Sequence, residues 1–179
     1  MDYYAELDKR INLIQSMKLG AFTHRVVYGI PESIWKMPSS FRHHLPDERG
    51  EWGNAIHSLR VTDLCLVIAD SLLIVNLQRD YLISAALLHD IGKRGLHGDT
   101  KMIQTAQHTI LVRQMVETLG YNPEDWEEVL RPIEDHMGKW SRGQLPEFLK
   151  TKITDNSMVL HLADCIVARW TEVIGGSNA

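Results

Sequence analysis

The chain has 179 residues, 44% of them hydrophobic, with a formal net charge of −4 and no apolar run long enough to span a bilayer. That size suits one domain around one core, and the acidic balance argues against a protein that coats nucleic acid, while leaving room for a local basic pocket. Cys65 and Cys165 fall inside apolar helical patterns and read as reduced core residues of a cytoplasmic protein. Met1 to Glu6 lack the charged and apolar regions of a signal peptide.

In chain order, Asp2 is expected to cap a helix over about 3–18, with Leu7, Ile11, Ile14 and Met17 on one face and Gly20 closing it. Pro31 opens a short turn, Glu32 to Lys36. Residues 37–53 hold two prolines and two glycines among polar groups, a long loop by composition that carries Arg42, His43, His44, Asp47, Glu48 and Arg49. Residues 1–37 are read as lead-in to the same domain, 38–179 as its body.

A long helix is predicted over about 54–76, its inward face formed by His57, Val61, Leu64, Ile68 and Leu72. Asp80 is expected to cap a helix over 81–91, which runs apolar into His89-Asp90. A loop over 92–100 follows, with Lys93, Arg94 and His97. Asp99 or Thr100 then caps a helix to Leu119 with His108, Val112 and Met115 on one face. Asn122-Pro123 starts a helix bearing Val129, Ile133 and His136. Gly138 to Gly143 is loop, Leu145 to Lys150 a short helix, and the last helix, about 155–173, turns Leu160, Asp164 and Val167 inward. No strand alternation occurs, so the expected fold is all-α: a bundle of five core helices plus an N-terminal helix.

Those helices place His57, His89 with Asp90, His108, His136 and Asp164 on apolar faces. One such histidine is usually a satisfied core residue. A buried aspartate costs several kcal/mol unless it is paired, and five helices each aiming an ionisable group inward call for a common partner. A divalent metal, or a pair, accepts mixed imidazole and carboxylate ligands of this kind.

The order His57, His89-Asp90, Asp164, with Leu87 to Lys93 around the central pair, resembles the HD superfamily of metal-dependent phosphohydrolases. The resemblance covers roughly residues 38–170. The stretch Trp35 to Ser40, with His44 and Gly53-Asn54-Ala55-Ile56-His57, is also similar to HD proteins allied to the 3′-to-5′ exoribonuclease branch. The resemblance implies that His57, His89, Asp90 and Asp164 bind a first divalent metal. Asp90 would bridge to a second held by His108 and His136, with Fe, Mn, Zn and Ni not distinguished. Asp90 and Lys93 are the expected catalytic groups, and Lys93, Arg60, His44, His97 and Arg42 the expected substrate contacts. Asp135-His136-Met137-Gly138 lacks the signature of the cyclic-dinucleotide branch. Lys93 stands where the 5′-nucleotidase branch has an acid.

The expected activity is hydrolysis of a phosphate ester of a nucleotide or short oligonucleotide by metal-activated water. The alternatives are an HD-type diiron oxygenase and a non-catalytic ligand-binding domain. A small phosphorylated substrate is expected as partner, without a membrane or a stable nucleic-acid complex, and a homo-oligomer is left open.

Overall fold

The computed structural model describes residues 1–40, 44–98, 101–103, 107–138 and 156–169. Among them the fold is all-α, without a strand. The helices are α1 (Tyr3–Ile11), α2 (Met17–Gly29), α3 (Glu32–Lys36), α4 (Gly53–Ser71), α5 (Asn76–Leu88), α6 (Gln107–Thr118), α7 (Glu127–Asp135) and α8 (Asn156–Ala168). Short 3-10 turns fill Pro46–Arg49, Ile91–Arg94 and Pro123–Trp126. No described helix is long and apolar enough to cross a membrane.

The architecture follows from α5. Its residues Leu82 to Leu88 are all buried, so this helix has no solvated side over its second half. A helix that is apolar all round belongs at the centre of a bundle. Here α2, α4, α7 and α8 pack around it. Its C-terminal end delivers His89 and Asp90 into the middle of the molecule.

The long helix α4 packs along α5 and α8, but not on the whole of the expected face. His57 and Val61 are buried as predicted, whereas Leu64, Ile68 and Leu72 are half-buried. The buried line passes instead through Ser58, Thr62, Cys65 and Ala69. Small side chains let helix axes approach closely, and hydroxyls can bond back to the helix itself. Thr62 Oγ1 donates to the Ser58 carbonyl at 2.8 Å.

The N-terminal region departs from the single helix expected over 3–18. Asp2 does cap α1, accepting from the Ala5 N–H at 3.2 Å, but α1 ends at Ile11. Ser16 caps a second helix, and Gly20 lies inside it rather than at a helix end. The cause is Asp80. It is a buried residue within α5, not the helix cap predicted, and its carboxylate accepts from the backbone N–H groups of Gln15 at 3.1 Å and Ser16 at 2.8 Å. That long-range bond holds the chain open between α1 and α2.

Other boundaries move by one to two turns. The long helix stops at Ser71 instead of 76, the next spans Asn76–Leu88 instead of 81–91, and α6 begins at Gln107. Asn122 caps as expected, through the Glu124 N–H at 3.3 Å, but opens a 3-10 turn before α7. The expected caps Asp99 and Thr100, the 139–143 part of the loop and the short helix at 145–150 lie outside the described residues.

Candidate metal centre

Five helix ends and faces converge on the Asp90 carboxylate. α4 supplies His57, the end of α5 supplies His89 and Asp90, α6 supplies His108, the end of α7 supplies His136, and α8 supplies Asp164. The four histidines and Asp90 are at most 1% exposed.

The two oxygens of Asp90 face different histidines. Oδ2 lies 3.5 Å from His57 Nε2 and 3.3 Å from His89 Nε2. Oδ1 lies 3.3 Å from His108 Nε2 and 3.8 Å from His136 Nε2. Asp164 Oδ1 closes the first group, 3.0 Å from His57 Nε2 and 3.9 Å from His89 Nε2. His57, His89 and Asp90 therefore form one set of adjacent donor atoms, and Asp90, His108 and His136 a second.

Backbone geometry brings these sets together. A side chain at position 92 would put its Cβ 2.0 Å from the His108 carbonyl oxygen, so the glycine after the His-Asp pair lets α6 lie directly against it. His89 Nδ1 bonds the Ala86 carbonyl at 2.8 Å and His136 Nδ1 bonds the Ile133 carbonyl at 2.6 Å. In both rings the other nitrogen is thereby turned toward Asp90. Ligating histidines are commonly oriented in this manner.

Electrostatics follow from burial opposed by pairing. Burial would raise the Asp90 pKa, but His89, Lys93 and His108 outweigh it and hold the carboxyl well below its usual range. The Asp164 carboxyl is also lowered, burial being overcome by His57. Burial would make His57 less basic, yet its bonds to Asp164 and Glu48 raise it to about 9. His136 goes the other way, to about 3, through burial and its proximity to His89. The site thus combines ionised carboxylates with at least one neutral imidazole.

The residues fit a divalent metal. His89 Nε2 is buried and makes no hydrogen bond among the described residues, although it points into the carboxylate group. A buried ring nitrogen without a hydrogen bond is costly, and a metal ion would supply the partner. Imidazole with carboxylate is a donor set for borderline divalent ions.

The remaining expected residues are distributed unevenly. Lys93 pairs with Asp90 Oδ2 and donates to the Ser39 carbonyl at 3.3 Å, tying the 37–53 loop to the His-Asp motif. His44 is buried beside His57, ring centroids 4.4 Å apart. Arg60 is directed at the loop: Nη1 and Nη2 donate to Asp47 at 2.9 and 2.6 Å, and Nη1 to Glu48 Oε1 at 2.6 Å. Arg49 donates to the His44 carbonyl at 2.6 Å. His97 is exposed on the turn after Ile91–Arg94. Arg42 and His43 lie outside the described residues.

Two residues had no sequence argument. Glu48 is completely buried and bonds both His44 and His57. His161, one turn before Asp164 on α8, bonds the His136 carbonyl through Nδ1 at 2.6 Å. Spacing from Asp164 could have flagged His161. A loop carboxylate carries no periodicity, so nothing local marked Glu48.

No curated protein and no solved structure matches the chain. A family model does: the HD domain, over residues 54–169, a span that contains all six converging residues. The match covers well over half of the chain, and with the all-α fold and the donor clusters around Asp90 it shows that the chain belongs to the HD domain family.

Proposed function

We propose that the protein is a metal-dependent phosphohydrolase that cleaves a phosphate ester of a nucleotide or short oligonucleotide at a two-metal centre. The observation that carries this reading is the disposition of Asp90, whose two oxygens face two separate pairs of imidazoles. A carboxylate so placed suits a bridge between two ions. His57, His89, Asp90 and Asp164 would hold the first, and Asp90, His108 and His136 the second. Divalent ions there supply an acidified water and neutralise charge on the phosphoryl oxygens.

The chain's own groups do the rest. Asp90 stays ionised because His89 and Lys93 face it, so it needs no deprotonation to ligate. Lys93 sits at the edge of the same carboxylate, where its ammonium can turn from Asp90 to a phosphate oxygen as a point charge. His44 and Glu48 of the 37–53 loop stand beside His57 and give the site a wall on that side. Arg42, also on this loop, and His97 remain candidate contacts to the substrate's anionic part.

The test is turnover of a panel of mononucleotides, cyclic dinucleotides, short RNA and a chromogenic phosphodiester with Mn²⁺, Fe²⁺ and Zn²⁺, each in air and under argon. Release of phosphate or a phosphomonoester without O₂ supports the reading. A reaction that consumes O₂, with the EPR signal of coupled mixed-valent iron, replaces it by the diiron oxygenase.

A further inference from the structure

Glu48 lies on the Pro46–Arg49 turn, outside the 54–169 span that matches the family, yet its side chain is 0% exposed. A carboxylate removed from water must be matched by donors, and Glu48 has three. Oε2 accepts from His44 Nδ1 at 2.7 Å and from His57 Nδ1 at 3.2 Å, while Oε1 accepts from Arg60 Nη1 at 2.6 Å.

The backbone is arranged to put it there. The Ser39 N–H donates to the Glu48 carbonyl at 2.9 Å. A Cβ at Gly53 would stand 2.0 Å from that same carbonyl oxygen, so only glycine at the start of α4 admits the turn. Arg60, one turn along α4 from His57, grips Asp47 as well as Glu48 and fixes the turn from the other side.

His57 differs in this from the other oriented histidines. His89 and His136 bond carbonyls three residues earlier in their own helices, a partner that almost any sequence would provide. His57 Nδ1 bonds a side chain brought from a separate loop. A ring nitrogen that donates to a carboxylate leaves the opposite nitrogen free to ligate and makes it a stronger ligand.

Resting on the two-metal reading above, we propose that Glu48 is a positioning residue: it holds His57 with Nδ1 protonated and Nε2 turned to the first metal position, and thereby sets the affinity of that position. His44, Glu48 and His57 could themselves hold an ion. Two features oppose it. Arg60 already neutralises Glu48, and His57 Nδ1 cannot carry both a proton and a metal.

The test uses the full chain and two readouts. The first is Mn²⁺ titration of wild type, Glu48→Gln and His44→Ala, with thermal melts of each metal-free protein. Glu48→Gln is expected to weaken the tighter Mn²⁺ step about 10- to 100-fold. His44→Ala is expected to retain it, since the Glu48–His57 bond remains. Wild-type Mn²⁺ affinity in a Glu48→Gln protein whose melting point alone is lowered would overturn the proposal. So would three equivalents of Mn²⁺ in wild type with one lost in His44→Ala. The second readout needs no variant: the ring ¹⁵N shifts of His57 in Zn²⁺-loaded wild type are expected to show a protonated Nδ1, and a metal-bound Nδ1 contradicts the proposal. Wild type that takes up no metal would overturn the two-metal reading itself, which separates that failure from this one.

Discussion

At the residue scale the centre is a balance of buried charges. Asp90, which is buried, and Asp164, which is half-buried, are ionised because His57, His89 and Lys93 oppose them. Lys93→Ala should lower kcat/KM for a phosphate substrate by about 10- to 100-fold, the value of one charge-assisted hydrogen bond, while Mn²⁺ affinity stays level or rises because a competing cation has gone. An equal loss of Mn²⁺ affinity would show that Lys93 supports the metal and not the substrate.

A pH dependence follows from His57. Its folded pKa is raised to about 9, so in the metal-free protein Nε2 carries a proton at neutral pH and a metal must displace it. Proton and metal compete for one nitrogen, so affinity at the first position should increase as pH rises toward 9 and fall as pH drops. Calorimetry in two buffers of different ionisation enthalpy should register proton release on binding. The converging set was legible in the sequence for a physical reason: ionisable groups on apolar helical stripes have no cheap explanation. Glu48 was not, because it sits among Asp47, Arg49 and Glu51 in a loop where charge is the rule.

At the element scale the apolar central helix and its terminal His-Asp pair were readable from α5 alone. The break between α1 and α2 was not, since the carboxylate that stabilises it lies on α5, far along the chain. Asp80→Ala leaves the Gln15 and Ser16 N–H groups without their acceptor and should destabilise the fold by about 1–3 kcal/mol. Metal stoichiometry should be unchanged in that variant, and a melt with a Mn²⁺ titration checks both. Nor did periodicity show the line Ser58, Thr62, Cys65, Ala69 on α4, because small residues rank low on apolarity even where they permit the closest packing. Gly92→Ala, by contrast, would thrust a methyl against the His108 carbonyl. It should displace the start of α6 and weaken the second metal position more than the first.

At the scale of the whole molecule the apolar core surrounds the site without depending on it. Trp35, Phe22, Leu82, Leu87 and Ile133 are fully buried apolar side chains that need no metal to pack, so chelation should leave a folded helical protein, unlike a zinc finger. Metal at about 100 times its Kd should add about 2.7 kcal/mol. For a chain of this size that raises Tm by about 5–10 °C. The all-α class was legible from the absence of alternation together with five amphipathic stretches. The central claim, that Asp90 joins two metal positions, is tested most directly by counting Mn²⁺ equivalents in wild type, His136→Ala and Asp90→Ala, each checked for fold by circular dichroism. Two, one and none are expected, with activity lost in the last; one equivalent in wild type and His136→Ala alike, with unchanged turnover, would contradict it.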